Sequence, residues 1–159
     1  MTSDLCADCG AKITGGTTAC RAVFHEFGLR AIDRTIDRAS HWMLVDAYAL
    51  QHPEPYCHSA KSLAAHLTGL CCALEHDRDQ KLRATLQRWL NGTPALEKPE
   101  VPVARGRLTI ADVHRVADSP DEKRVLQEWA RSVWDAWSDH HETARRWIRT
   151  ARERNGPGR

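Results

Sequence analysis

The sequence has no run of roughly 20 apolar residues, which is the length that a membrane-spanning helix needs. Its longest apolar stretch, residues 42–50, is interrupted by Asp46. The first residues contain neither a basic segment nor an apolar one, so we expect no signal peptide. These absences predict a cytoplasmic protein that does not contact the membrane and whose cysteines stay reduced.

Several catalytic signatures are missing as well. The sequence contains no Gly-rich phosphate loop, no GxSxG elbow, no HExxH pair and no kinase-like motif, which excludes the enzyme classes that those motifs define. It also shows no internal repeat and no alternating strand pattern of useful length. A hydrophobic fraction of 42% in 159 residues is ordinary for one soluble domain with a core.

Apolar periodicity and capping signals predict a mainly α-helical bundle of about five helices, with a single domain over residues 1–154. Prolines and Gly106 interrupt residues 93–108, which we expect to form an extended connector. Residues 155–159 are expected to be a disordered tail. The expected helices cover residues 21–30, 33–50, a segment from Ser59, residues 79–90, a short segment after Thr109, and residues 120–152.

Three cysteines lie close together near the N-terminus. Cys6 and Cys9 form a CxxCG turn, in which two thiolates can bind one ion while the glycine lets backbone amides point at sulfur. Cys20 follows after ten residues and can supply a third ligand. His25 is the nearest fourth ligand in sequence, and the alternatives are Cys57, His58, His41 and His52. Residues 1–25 are therefore predicted to form a knot around a structural zinc ion.

A second group of polar residues falls within apolar helices. Asp46 lies in a segment that is predicted to be buried on all sides, so its carboxylate needs a partner, for which His52 and His66 are candidates. His141 falls within the apolar stripe of the last helix. Asp46, His52, His66 and His141 are therefore candidate catalytic residues or ligands of a second metal, and a satisfied buried polar network is the alternative.

Small residues accompany one of these histidines. The helical face that carries His66 is otherwise formed by Ser59, Ser62 and Gly69. Another part of the backbone can approach such a face closely.

Charge is nearly balanced over the whole chain but not at its end. The net charge of +2 disfavours binding to polyanions by the protein as a whole. Residues 145–159 contain six arginines against one acid, Glu153. Such a run is typical of a nucleic-acid-binding tail or, alternatively, of the solvated end of a helix, where cations complement the helix dipole.

Several of these motifs together resemble an uncharacterised bacterial family known only as a domain of unknown function. The resemblance rests on the CxxCGA motif, the VDAYALQHP string of residues 45–53, the pair His66-Leu67 and the tryptophan-rich segment from Trp129. It covers about residues 6–148. The resemblance implies a compact bacterial protein with an N-terminal metal knot, and it implies no particular activity.

Three functional hypotheses follow. The first is a zinc-binding helical protein with a His/Asp site that acts on a small molecule. The second is a zinc-stabilised module that binds a protein partner without catalysis. The third is nucleic-acid binding through the knot and the Arg-rich end, which the charge balance disfavours.

Overall fold

A computed structural model describes residues 4–155, which form an α-helical protein. The only pairing of extended backbone within this range is an isolated bridge between Leu5 and Lys12. The helices are α1 Gly16–Ile32, α2 Arg38–Gln51, α3 Pro53–Tyr56, α4 Ala60–Glu75, α5 Gln80–Asn91, α6 Ile110–Arg115, α7 Glu122–Ala136 and α8 His141–Asn155. The predicted mainly α-helical class is thus confirmed, whereas the predicted number of about five helices is too low.

Side-chain caps determine where two of the predicted helices begin. At the start of α4, the amide of Ser62 donates to Ser59 Oγ at 3.0 Å, and the amide of Ser59 donates to Ser62 Oγ at 3.1 Å. Asp79 caps α5 by accepting from the amides of Lys81 and Leu82. These contacts satisfy amides that have no partner within the helix, and they lie where the sequence predicted helix starts.

The predicted continuous helix over residues 120–152 is wrong. It begins at Glu122 and breaks after Ala136, and a 3-10 turn over Ser138–His140 leads into α8. The ring of His141 stacks on Trp134 at a centroid distance of 3.8 Å, and its Nε2 donates to the Trp134 carbonyl at 2.7 Å. This carbonyl also accepts from the Trp137 amide at 3.0 Å in a 3-10-type bond, so the imidazole adds a second donor that stabilises the break.

Helix α2 lies at the centre of the protein and packs against α1, α3, α4 and α7. Its buried residues include Leu44, Ala47 and Leu50, each at 0% exposure, which agrees with the burial predicted for residues 42–50. Helix α5 packs against α4 and α8. Because α2 is central, its C-terminal end and one of its faces can contribute to separate polar sites.

The segment over residues 93–108, which was expected to be an extended connector, contains no helix or strand. Gln51 at the end of α2 anchors it, because Gln51 Nε2 donates to the carbonyls of Arg105 and Leu108 at 2.7 Å each. Gln51 Oε1 accepts from Trp129 Nε1 at 2.9 Å. One buried amide therefore joins α2, the connector and α7.

The ends of the chain bear on two other predictions. Asn155 is the last residue of α8, and the remainder of the expected tail, residues 156–159, lies outside the described residues. Between residues 4 and 155, no helix has the length and apolarity to cross a membrane.

Candidate functional site

Three thiols and one imidazole converge beneath the N-terminal segment. Cys6 and Cys9 come from the turn before α1, Cys20 from α1 itself, and His52 from the residue that ends α2. Their four ligand atoms all lie within 4.8 Å of one another. None of the four residues is more than 6% exposed.

Three of the distances between these atoms match a tetrahedral metal site. His52 Nε2 lies 3.6 Å from the Sγ atoms of Cys6 and Cys20, and the Sγ atoms of Cys9 and Cys20 are 3.8 Å apart. Bond lengths of about 2.3 Å to sulfur and about 2.0–2.1 Å to nitrogen, at tetrahedral angles, require separations of about 3.8 Å between sulfurs and about 3.6 Å between sulfur and nitrogen. Three of the six separations match these values and the other three are no more than 4.8 Å, so the group can hold a metal ion.

Contacts outside the group orient its ligands. His52 Nδ1 donates to the carbonyl of Tyr48 at 2.7 Å, so in the neutral ring the lone pair of Nε2 faces the thiols. The Tyr48 ring stacks on His52 and on Phe24, at centroid distances of 3.8 and 4.0 Å. The Tyr48 hydroxyl lies 3.8 Å from Cys20 Sγ. These contacts fix both the tautomer and the plane of the imidazole.

The thiols interact strongly with one another. The pKa of Cys20 is lowered to about 4, chiefly by the hydrogen bond with Cys9 and further by His52 and Tyr48, although burial opposes this. The pKa of Cys9 is raised because its thiol donates that hydrogen bond and is buried, although the Ala11 amide lowers it in part. Several buried thiolates need a cation to balance their charge, and metal binding releases the remaining protons.

The other candidates for the fourth ligand do not join this group. His25 lies on the exposed side of α1, and His58 is exposed between α3 and α4. His41 is half-buried in the first turn of α2. Cys57 is buried, donates to the carbonyl of Ala49 at 3.6 Å, and has a pKa raised to about 12 by burial. The structure thus places His52, one of the four alternatives, where His25 was expected.

Asp46 forms a separate polar cluster on the face of α2 that contacts α4 and α5. Its Oδ1 lies 3.0 Å from His66 Nδ1, and its Oδ2 lies 3.0 Å from Arg83 Nη1. Asp46 is only 2% exposed. The Arg83 guanidinium also lies over the Trp42 ring, 4.6 Å from its centroid. The buried carboxylate of Asp46 is therefore paired with two residues from two helices.

Gly69 allows this carboxylate to approach α4. A Cβ atom on Gly69 would lie 2.3 Å from Asp46 Oδ2 and 2.8 Å from Asp46 Cγ. The close approach expected at the small-residue face of His66 is therefore made by the Asp46 side chain. A cleft of about 170 Å³ opens beside these residues, and Asp46, His66 and Arg83 supply its charged and titratable groups.

The four residues predicted as one catalytic cluster do not come together. His66 contacts Asp46, whereas the imidazole of His52 faces the thiols and that of His141 caps α7. Sequence reasoning missed Arg83. The available indication was the buried carboxylate itself, since a buried acid needs a positive partner.

A third group of possible ligands, Cys71, Glu75 and His76, lies at the end of α4. The guanidinium of Arg145 already binds both oxygens of Glu75, at 2.9 and 2.7 Å. This pairing lowers the pKa of Glu75. Because a cation already occupies the carboxylate, we assign no metal to this group.

The fold and the site define a helical protein with a buried group of three cysteines and one histidine. Over residues 4–138 the chain matches the model of DUF5946, a family of unknown function, and it belongs to that family. The expected membership of an uncharacterised family is thereby confirmed. The match ends within the turn between α7 and α8, so α8 with its arginines lies beyond it. Neither a curated protein nor a solved structure matches the chain.

Proposed function

We propose that this DUF5946 protein binds one zinc ion through Cys6, Cys9, Cys20 and His52, and that the ion has a structural role. The observation that carries the proposal is the convergence of four buried ligand atoms within 4.8 Å of one another, with three of their separations at tetrahedral values. Three sulfurs and one imidazole nitrogen at tetrahedral separations suit zinc better than metals that prefer oxygen ligands or square-planar geometry.

The closed ligand set favours a structural role over a catalytic one. Four protein ligands fill a tetrahedral shell, whereas a catalytic zinc keeps one position for water or substrate. The segment before α1 buries little apolar surface besides Cys6, Cys9 and Ala11. The free energy of metal binding would therefore stabilise a segment that has almost no hydrophobic core of its own.

Zinc analysis of two histidine variants tests the proposal. His52→Ala removes the fourth ligand, while His25→Ala is the matched control because His25 is exposed and nearer to the cysteines in sequence. We expect one zinc per chain in the wild type and in His25→Ala, and weakened binding with reduced stability in His52→Ala. Full zinc retention by His52→Ala together with loss in His25→Ala would contradict the proposed ligand set.

The cleft beside Asp46 supports a second candidate function, the binding of a small molecule. This candidate is supported by a buried carboxylate that pairs with Arg83 and His66 at the wall of an open cavity. A second metal is disfavoured here because the Arg83 guanidinium lies 3.0 Å from Asp46 Oδ2 and would repel a cation.

Two further alternatives have less support. Binding to a protein partner would use Leu29 and Ile32 of α1, which are 62% and 76% exposed. Nucleic-acid binding would use α8, where Arg149 is paired with Glu142, and Arg145, as shown above, with an acid of α4. These ion pairs reduce the positive charge that α8 can offer to phosphates.

A further inference from the structure

One ring nitrogen at the Asp46 cleft has no hydrogen-bond partner within the part of the chain that the structure describes. His66 Nδ1 lies 3.0 Å from Asp46 Oδ1, and since a carboxylate accepts, Nδ1 carries the proton of this contact. In the neutral ring Nε2 is then an acceptor, and none of residues 4–155 hydrogen-bonds to it. By contrast, His52 Nε2 faces thiols and His141 Nε2 donates to a carbonyl.

The charges around this nitrogen favour a neutral ligand. Asp46 and Arg83 form an ion pair, so with His66 neutral the three side chains carry no net charge. An anion would face the lone pair of Nε2, whereas a cation would meet the guanidinium. Arg83 keeps further N–H groups, and its side chain is 27% exposed. His66 and Arg83 therefore offer one acceptor and at least one donor to a neutral polar group, and Thr68 and Gln87 are the other polar residues that line the cleft.

The size and walls of the cleft limit what can enter. Its volume of about 170 Å³ accommodates about five groups the size of a water molecule, at roughly 30 Å³ each. Besides the polar residues, its walls are largely aliphatic: Val45, Ala65, Leu86 and Leu90. A ligand, or the end of a larger ligand, thus needs a short carbon chain with one compact polar group.

We infer that the cleft binds a small molecule that carries a neutral carboxamide. His66 Nε2 accepts a hydrogen bond from the amide nitrogen, and Arg83 donates one to the amide oxygen. Asp46 is a positioning residue, since it holds the tautomer of His66 and the orientation of Arg83. The inference rests on the second candidate function, and it is independent of the zinc ion.

Three probes of equal size test which polar group the cleft recognises: propionamide, propionate and butanone. Nitrogen-15 NMR of the zinc-loaded protein reports the protonation of each His66 nitrogen and its response to each probe. We expect a proton on Nδ1 and a shift of Nε2 with propionamide. Propionate, which is charged, and butanone, which lacks a donor, should bind roughly fivefold more weakly or worse, as expected for one lost hydrogen bond.

Two alanine variants separate the cleft from the zinc centre. Ala65→Leu fills the cleft without changing its polar groups, and Ala84→Leu places the same side chain on the exposed side of α5. We expect loss of propionamide binding in Ala65→Leu only, with one zinc per chain in both variants. An unshifted Nε2, a proton on Nε2, equal binding of propionate, or undiminished binding by Ala65→Leu would each overturn the inference. Zinc content is read separately, so it shows whether the metal proposal fails too.

Discussion

Replacement of Gly69 by alanine is expected to displace the buried carboxylate of Asp46. The new Cβ would lie 2.3 Å from Asp46 Oδ2 and 2.8 Å from its Cγ, so either the side chain leaves its place between His66 and Arg83 or α2 and α4 separate. Both outcomes break the pairing of a carboxylate that is 2% exposed.

The magnitude follows from two opposing effects. Breaking a buried ion pair costs about 3–5 kcal/mol. Alanine in place of glycine within a helix returns about 1 kcal/mol. Gly69→Ala should therefore lower the free energy of unfolding by about 2–4 kcal/mol. Gly28→Ala in α1 is the matched control, because its added Cβ meets no atom within 4 Å apart from those of its chain neighbours and the backbone of its own helix. This control should be neutral or stabilise the protein by up to about 1 kcal/mol.

Urea unfolding of the zinc-saturated variants measures the difference. Asp46→Ala in the Gly69→Ala background removes the clash, so the two substitutions should couple by about 2 kcal/mol or more. If Gly69→Ala were as stable as Gly28→Ala, or if its effect added independently to that of Asp46→Ala, the close packing of Asp46 on Gly69 would be refuted.

Three other contacts give further predictions. Gln51→Leu leaves the Trp129 N–H and two connector carbonyls without their partner, so it should cost about 2–4 kcal/mol in urea unfolding; an unchanged free energy would contradict the anchoring role. His141→Phe keeps an aromatic ring but removes the hydrogen bond that caps α7, so calorimetry should show a loss of about 1 kcal/mol, and no loss would contradict capping. The pKa of Glu75 is lowered chiefly by its hydrogen bond with Arg145. The ion pair therefore stabilises the folded protein above the ordinary carboxyl pKa, and this stabilisation is lost as the pH falls through the lowered pKa. Arg145→Gln should therefore reduce stability more at pH 7 than at pH 3, and an equal effect at both would refute the pairing.

The helices that could be predicted are those with local start signals. Ser59 with Ser62 and Asp79 begin α4 and α5 through contacts within one helical turn, so the sequence alone specifies them. The break at Trp137 has no proline or glycine to mark it. It depends on the contact of His141 with Trp134, and a periodic pattern cannot distinguish that contact from a continuous apolar stripe.

The metal ligands, too, could be predicted from the sequence only in part. The CxxCG turn and Cys20 were predictable because their spacing is short. The choice between His25 and His52 was not, since it depends on which end of α2 packs beside the turn. Proximity in sequence favoured His25, but its position on α1 points it to solvent.

Of the two partners of Asp46, only one could be predicted from the sequence. His66 was among the predicted partners because it lies on the next predicted helix. Arg83 lies 37 residues from Asp46 and on a helix whose placement only the tertiary packing determines. Arginines are numerous in this chain, so the need for a cation did not identify which one supplies it.

X-ray absorption at the zinc edge of the purified protein tests the central claim most directly. We predict three sulfur neighbours at about 2.3 Å and one nitrogen neighbour at about 2.0–2.1 Å, with the multiple scattering of an imidazole. A shell of four sulfurs, a shell rich in oxygen, or protein without zinc would contradict the proposed site.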